Sequence, residues 1–382
     1  MSATLSALLI NYDSWSECVD AVQSLLEHSP SSTQVIIVDN HSPTRDPDRE
    51  AVLRELCEST GGALILHDDN GGYAAGVNLA YTRANGDHIL VCNPDLIFHA
   101  GTVPRMLDYL CENETVGVAA PEGYWDRDLE CKLPPSFLPT MRSEWRTTWA
   151  HLRPSSLRRY NHARVHASLR YWTTESSLDL PMFSGCCFMM PRSVIDDIGL
   201  FDERFPLYFE DSDLSRRVTA SGRRIVQVAN SAVTHLYNRS GSKNYAAAMR
   251  RHRVSRDRYF GKHYGPHGRV LAWACRYALQ TGWGERRRER FKPIHFESLE
   301  TEGGRPILPL PSARGRLVIE ASLDPWFFLP GAICPTGDRW SSGDALFGQF
   351  PDEIWFRLLD VYDGSYEELG LYEFTQSTEA RT

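Results

Sequence analysis

An α/β fold built on a mostly parallel sheet is what this sequence predicts, and three observations predict it. Three early apolar runs, LSALLINY (5–12), TQVIIVDN (33–40) and DHILVCNPD (87–95), are short, nearly continuous and rich in branched residues, as strands covered on both faces are. Helical patterns separate them. Polar residues collect directly after each run: Asn11, Tyr12 and Asp13, then Asp39, Asn40 and His41, then Asn93, Pro94 and Asp95. Turn chemistry accounts for any one such cluster. Three in register describe the carboxyl edge of a sheet, where α/β folds bind their ligands.

The elements follow in order. SWSECVDAVQSLLEHS offers Ser14 or Ser16 as an N-cap, with Val19, Val22, Leu25 and Leu26 at helical spacing, and DREAVLRELCEST is a second helix. Strand and helix alternating in this way imply right-handed crossovers. DDNGGYAAGVNLAYTRANG opens on a flexible Asn-Gly-Gly turn and continues as a helix to about Asn85 and Gly86, whose first amides can face a phosphate. Gly71, Gly72 and Gly76 lack the G-x-G-x-x-G spacing and no P-loop lysine follows, which disfavours an NAD enzyme.

From about 123 to 175 periodicity fades into Trp, Arg, Pro and His, and an irregular insertion over the sheet edge is expected, a lid or acceptor surface. Regular structure returns with LPMFSGCCFMMPRSVIDDIGLFDERF, where Cys186 and Cys187 read as part of an apolar strand. The sheet should end near residue 240, with helices to about 292 and ETEGGRPILPLPSARG as a linker. RLVIEAS, WFFLPG and EIWFRLLDVYDG then suggest a small β-rich module whose Trp326, Trp340 and Trp355 complete a core. The expected division is 1–265, 266–313 and 314–382.

Composition sets bounds. With 382 residues the chain can bury a large core, and no apolar run approaches the roughly 20 residues of a membrane span. The first residues lack a basic n-region and cleavage site, so a cytoplasmic location is expected. Nine cysteines, an odd number without zinc spacing, should be mostly reduced. A net charge of −8 argues against a nucleic-acid partner, although basic residues cluster at 249–269 and 285–292.

The stretch LYFEDSDLSRR (207–217) crowds Glu210, Asp211 and Asp213 into an otherwise amphipathic helical pattern. Acids in a first helical turn are favourable against the dipole, and that is the plainer reading of Asp213. A carboxylate tuned by neighbours is also a general base.

Taken together, NY after the first strand, VDNHS, NGGYAAGVN, NPD, FSGCCFMM, GLFDERFPLYFEDSDLSRR and a later TH resemble the inverting GT-A glycosyltransferases of family 2, in particular the rhamnosyltransferase-like branch. The resemblance covers about residues 4–265. It implies that Asp39 contacts the base or ribose of a nucleoside diphosphate sugar, and that Tyr12, Asn93 and the loop from Asn70 and Gly71 to Asn78 line the same pocket. Asp95 matches the last acid of the family's metal-binding D-x-D, which here reads Asn93-Pro94-Asp95. His235 matches the later histidine of the metal shell. Mn²⁺ or Mg²⁺ would stabilise the departing diphosphate, and the imidazole favours Mn²⁺.

Asp211 is then the expected base, with Glu210 and Asp213 raising its pKa or orienting the acceptor and pairing with Arg216 or Arg217. Of Arg250, Arg251, Arg253, Arg256, Arg258 and Lys262, most read as a solvated helix face; one or two would close on the diphosphate, and others would touch an anionic membrane surface if the acceptor is a lipid-linked glycan. Deoxythymidine diphosphate rhamnose is the favoured donor and a surface polysaccharide or glycolipid the expected product. Two other readings stay open on residues alone: a sugar nucleotidyltransferase, and a non-catalytic glycan-binding or assembly protein.

Overall fold

The computed structural model describes residues 4–236, 245–288 and 294–376. In chain order the strands and helices of the first part are β1 (Leu5–Asn11), α1 (Trp15–Glu27), β2 (Gln34–Asp39), α2 (Pro47–Ser59), β3 (Ala63–Leu66), α3 (Tyr73–Tyr81), β4 (His88–Cys92), β5 (Leu96–Phe98), α4 (Thr102–Glu112) and β6 (Val116–Tyr124). They continue as β7 (Cys131–Lys132), α5 (Met141–Leu152), α6 (Pro154–Thr173), β8 (Leu178–Asp179), β9 (Cys187–Pro191), α7 (Arg192–Ile198), α8 (Glu210–Ala220) and β10 (Arg224–His235). A long helix, Tyr245–Gln280, is interrupted at Gly265 and Pro266, and a short one, Gly282–Arg288, follows. The remaining strands are β11 (Glu297–Ser298), β12 (Glu300–Glu302), β13 (Arg305–Pro309), β14 (Arg316–Ser322), β15 (Gly331–Ile333), β16 (Arg339–Ser341), β17 (Glu353–Tyr362) and β18 (Ser365–Thr375).

The chain forms two compact units: 1–122 with 136–141 and 175–273, and 123–135 with 142–174 and 274–382. In the first, β3, β2, β1 and β4 are parallel neighbours, and β9 lies antiparallel to β4. The order reverses at β1, which has β2 on one side and β4 on the other. Every residue of β1, β2 and β4 is buried, and apart from Ser6 their polar residues, Asn11, Gln34, Asp39 and His88, stand at strand ends. Leu5, Ala7 and Leu9 pack on one face with α1 and α4, while Leu8 and Ile10 pack on the other with α3 and α8. The expected α/β architecture is therefore present.

Two glycines bring α3 close enough to furnish the sheet edge. A Cβ at Gly76 would sit 3.0 Å from Ile10 Cγ2 of β1. Gly72 has φ +92°, and a Cβ there would stand 2.5 Å from the Pro206 carbonyl oxygen. The helix starts at Tyr73 because this left-handed turn precedes it, and it ends at Tyr81, short of the expected Asn85.

The second unit corrects two expectations. Residues 141–173 are not irregular but two helices, and Pro154 opens the second at a position suited to its fixed φ. Their apolar pattern is faint because the buried face of α6 includes Arg164 and Ser168 beside Val165, Leu169 and Trp172. Arg164 is tolerated there because Glu320 on β14 accepts its charge at 2.7 Å, and Arg357 on β17 binds the other Glu320 oxygen. The supposed linker at 300–315 contains a hairpin: β12 and β13 pair antiparallel around Gly303 and Gly304, both at positive φ. The β-rich module is there as expected, with β15, β14, β17 and β18 as antiparallel neighbours. Trp340 is in its core as expected, against Phe356, and Trp355 and Trp326 lie nearer the surface.

Gly72→Ala should lose about 3 kcal/mol, combining left-handed strain with the Pro206 clash. Gly303→Ala has the same sign of φ with nothing within 4 Å and should lose only about 1 kcal/mol. Urea midpoints of the two variants test this, and equal losses would remove the Pro206 contact from the account.

Candidate active site

The carboxyl edges of β1, β2 and β4 hold the residues that the sequence picks out. Asp39 ends β2 and is buried; its Oδ1 accepts from Asn11 Nδ2 at 2.8 Å and from the Ser42 hydroxyl, and its Oδ2 accepts from the Ser42 amide at 3.1 Å. Asp13 N in turn donates to Ser42 Oγ at 2.8 Å. Asp39 thus ties together the loops after β1 and β2, with Tyr12 half-buried between them. Asn70 does the same for the next loop. Its Oδ1 accepts from Gly72 N at 3.1 Å, Asn40 Nδ2 at 3.3 Å and Arg251 at 3.2 Å. Arg251 is thereby the member of the basic run that reaches this edge, and Gly71 sits exposed between Asn70 and Gly72.

Asn78 is placed differently from the expectation. Its Nδ2 donates to the Phe201 carbonyl and Glu203, and its Oδ1 accepts from Phe201 N. Both ends of the carboxamide are engaged in fixing α3 to the 201–203 turn, so its geometry supports positioning rather than donor contact.

Asp95 follows the Asn93-Pro94 turn after β4. Pairing of β5 with β10 sets Leu96 opposite His235, and Leu236 N donates to the Asp95 carbonyl at 3.1 Å. That register carries His235 Nε2 to 3.3 Å from Asp95 Oδ1, which is buried and, among the described residues, accepts no hydrogen bond. Burial alone would lower the His235 pKa, but the neighbouring Cys186 thiol and Asp95 carboxylate raise it to about 10. Asn93 is half-buried, and its amide donates to the Cys186 carbonyl at 2.8 Å. The part of VTHLYNRSGS beyond Leu236 lies outside the described residues. Among those residues no three His, Cys, Asp or Glu side chains converge. Asp95 and His235 are therefore a two-ligand set, which fits a cation only if His235 releases its proton on binding and a bound diphosphate and water supply the other oxygens.

The helix carrying Asp211 starts at Glu210, so the three acids occupy its first turn. Tyr208 and Phe209 precede it with φ of 64° and 66°, a conformation that non-glycine residues rarely hold. Packing keeps them there: Phe209 lies against His252 and Tyr259, with ring centroids 5.3 Å apart in both cases. Asp211 Oδ2 accepts from Gly185 N at 3.1 Å, and its Oδ1 accepts from Ser212 N at 2.6 Å. A Cβ at Gly185 would fall 3.2 Å from the Asp211 Cβ. The Gly185 carbonyl meanwhile accepts from Tyr73 Oη of α3 at 2.9 Å. Tyr73 and Gly185 thus join α3 to Asp211, and sequence reading singled out neither. The signal available was the Gly before CC in FSGCC, the one residue there without a side chain.

Burial raises the pKa of both Glu210 and Asp211, and the Asp211 charge adds to the shift on Glu210. The amides of Gly185 and Ser212 oppose the shift on Asp211. Glu210 Oε2 is buried and has no hydrogen-bond partner. Asp211 is consequently the member of the pair that ionises first.

Asp213 does not fit the acceptor role. Its side chain is buried, with Lys262 Nζ 2.7 Å and His263 Nε2 2.8 Å from Oδ1 and Arg217 Nε 2.9 Å from Oδ2. Burial disfavours its charge, but His263, Lys262 and Arg217 outweigh that and hold its pKa at about 2. It is the anchor of α8 on the long helix. Arg216 points away from the acids, to Tyr259, Tyr264 and the Pro139 carbonyl.

A family model described as Glycosyl transferase family 2 matches residues 6–199, just over half of the chain. The chain belongs to this family and is a glycosyltransferase. Among characterised proteins it is similar to the N-acetylglucosaminyl-diphospho-decaprenol L-rhamnosyltransferase of two Mycobacterium tuberculosis strains. That likeness is 25% identity over 301 residues, 73% of this chain and 91% of that protein. Among solved structures, a mannosyltransferase from Pyrobaculum calidifontis in complex with GDP-Man and Mn²⁺ is 15% identical with a TM-score of 0.46, covering 75% of this chain and 72% of that one. S. aureus TarS in complex with UDP is 13% identical with a TM-score of 0.44, covering 74% and 77%.

The acids make opposite contributions to stability against pH. The raised pair binds protons in the folded state that the unfolded chain has released, so it lowers stability as pH climbs through and above the ordinary carboxylate range. Asp213, depressed to about 2, stabilises above the ordinary carboxylate range and loses that contribution as pH falls from about 4 to 2. Melting curves of wild type and Glu210→Gln across these ranges should diverge on the upper limb, the variant being flatter, and coincide in slope on the lower. Parallel curves on the upper limb would mean that Glu210 titrates normally.

Proposed function

We propose that this enzyme is an inverting transferase that moves rhamnose from deoxythymidine diphosphate rhamnose to a hydroxyl of a lipid-linked glycan during cell-surface glycan assembly. The observation that carries the inverting mechanism is the pairing of Asp211 with the Gly185 amide, one hydrogen bond away from Tyr73 at the start of the donor-side helix. The sugar and acceptor classes are supported by the mycobacterial relative, whose name specifies a rhamnosyl transfer to a decaprenol-linked sugar.

In this reading Asp39, Asn70, Gly71 and Tyr12 border the nucleotide, and Arg251 meets the diphosphate from the long helix. Asp95 and His235 would hold a divalent cation, Mn²⁺ or Mg²⁺, whose charge offsets that of the leaving diphosphate. Asp211 takes the proton of the acceptor hydroxyl as its oxygen bonds to the anomeric carbon. The bond from that carbon to the diphosphate oxygen breaks, and the nucleoside diphosphate leaves with the electron pair. A single displacement of this kind inverts the anomeric centre relative to the donor. Buried Glu210, protonated beside ionised Asp211, keeps a second negative charge away from the base.

Nucleotide binding is testable without knowing the acceptor. Thermal shifts with deoxythymidine, uridine and guanosine diphosphates, each with and without Mn²⁺, should show the largest metal-dependent stabilisation with the thymidine nucleotide. At about 100 times Kd it amounts to roughly 2.7 kcal/mol. Asp95→Ala should lose the metal dependence, and Asp211→Asn should keep nucleotide binding while transfer from the rhamnosyl donor falls about 100-fold or more. Equal transfer by Asp211→Asn would remove it as the base, and no shift with any nucleotide would remove the donor site.

A further inference from the structure

The second unit exposes aromatic side chains where a soluble surface would ordinarily carry polar ones. Trp145 on α5 is 51% exposed and Trp283 on the Gly282–Arg288 helix 40% exposed, and half-buried Trp149 links them. Ring centroids are 5.3 Å apart for Trp145 and Trp149, and 6.4 Å for Trp149 and Trp283, both edge-on. Tyr277, 61% exposed, is on the adjoining end of the long helix. Two guanidinium groups lie over these rings, Arg153 at 4.3 Å from Trp149 and Arg287 at 4.9 Å from Trp283.

The charge of these segments is opposite to that of the whole. Residues 142–153 and 274–288 contain seven arginines against two glutamates, and no lysine or aspartate, in a chain of net charge −8. Tryptophan and tyrosine favour the headgroup level of a bilayer, where an apolar ring and a polar N–H or O–H are both accommodated. Arginine beside them pairs with lipid phosphate, and a local excess of positive charge selects anionic leaflets.

We propose that the Trp145–Trp149–Trp283 cluster, with Arg153, Arg286 and Arg287, is a docking surface for an anionic lipid bilayer. This moves the membrane contact away from the basic run at 249–262, where Arg251 is held by Asn70, Arg256 by the Ala272 carbonyl and Lys262 by Asp202 and Asp213. It agrees with the lipid-linked acceptor proposed above but does not use the active site, so either can fail alone. Among the described residues no helix is long and apolar enough to cross a membrane, and attachment through this cluster would be peripheral, held by ring insertion and arginine–phosphate pairing.

The test is co-sedimentation of the full chain with vesicles of phosphatidylcholine alone or with about one-third phosphatidylglycerol, free of any lipid-linked sugar. The expected result is partition onto the anionic vesicles, weakened in about 0.5 M salt, with a blue shift of tryptophan emission. Trp145→Ser with Trp283→Ser should lower the partition tenfold or more and abolish the blue shift, and Arg286→Glu with Arg287→Glu should lower it similarly. Circular dichroism and metal-dependent nucleotide shifts equal to wild type establish that both variants are folded. Equal binding to both kinds of vesicle, no binding to either, or folded variants that sediment like wild type would overturn the proposal.

Discussion

A carboxylate kept mostly out of water, yet ionisable, is the constraint around which the catalytic edge of this glycosyltransferase is arranged. Asp211 meets it through two backbone amides, which favour its charge without adding a second titrating group. One of those amides belongs to Gly185, and only glycine permits the approach, because a methyl group there would crowd the Asp211 side chain. The other comes from the helix that Asp211 itself begins. The alignment of that helix is fixed in turn by Asp213, which Lys262 and His263 hold against the long helix while Arg217 binds it from the next turn of its own helix. Two acids separated by one residue thus act in opposite ways: burial outweighs the two amides and raises the pKa of Asp211, whereas His263, Lys262 and Arg217 outweigh burial and lower that of Asp213.

Three of the four parallel strands, β1, β2 and β4, were legible because burial on both faces leaves a nearly unbroken apolar run, whereas β3, four residues long and mostly half-buried, gave no such signal. Asp39 and Asp95 stood out because they follow such runs directly, whereas Asn70 and His235 were singled out only by the resemblance to family 2. What was not legible came from contacts distant in sequence. Nothing near Asn78 announces that Phe201 occupies both ends of its carboxamide. Within SDLSRR the pairing of Asp213 with Arg217 was foreseen, but its other two partners, Lys262 and His263, lie about 50 residues on. Tyr73 and Gly185 were invisible for the same reason: their importance lies in a hydrogen bond spanning 112 positions.

A different cause hid α6. Helices declare themselves by an apolar stripe, and this one interrupts its stripe with an arginine and a serine. The interruption is consistent only when β14 supplies Glu320 and β17 a second arginine. Such a buried group of three charges adds little net stability and is costly to break, yet it specifies which strand faces which helix, since no other pairing leaves Glu320 neutralised. The hairpin at Gly303 and Gly304 was misread for a simpler reason: Pro306, Pro309 and Pro311 read as a linker, yet β13 pairs with β12 and β16, Pro306 lying opposite Thr301 and Pro309 opposite Arg339 near its two ends.

Tyr208 and Phe209 also say something about how such a site is inherited. Left-handed conformations at two successive aromatic residues cost energy that glycine would not, and random substitution toward a more relaxed backbone is therefore always open to the lineage. That the strained pair stands immediately before the carboxylates makes it a case where a sturdier protein and a better-aimed acid are competing solutions. A laboratory search for heat resistance in this enzyme would be drawn to the same two positions, and would find durability there at the expense of aim.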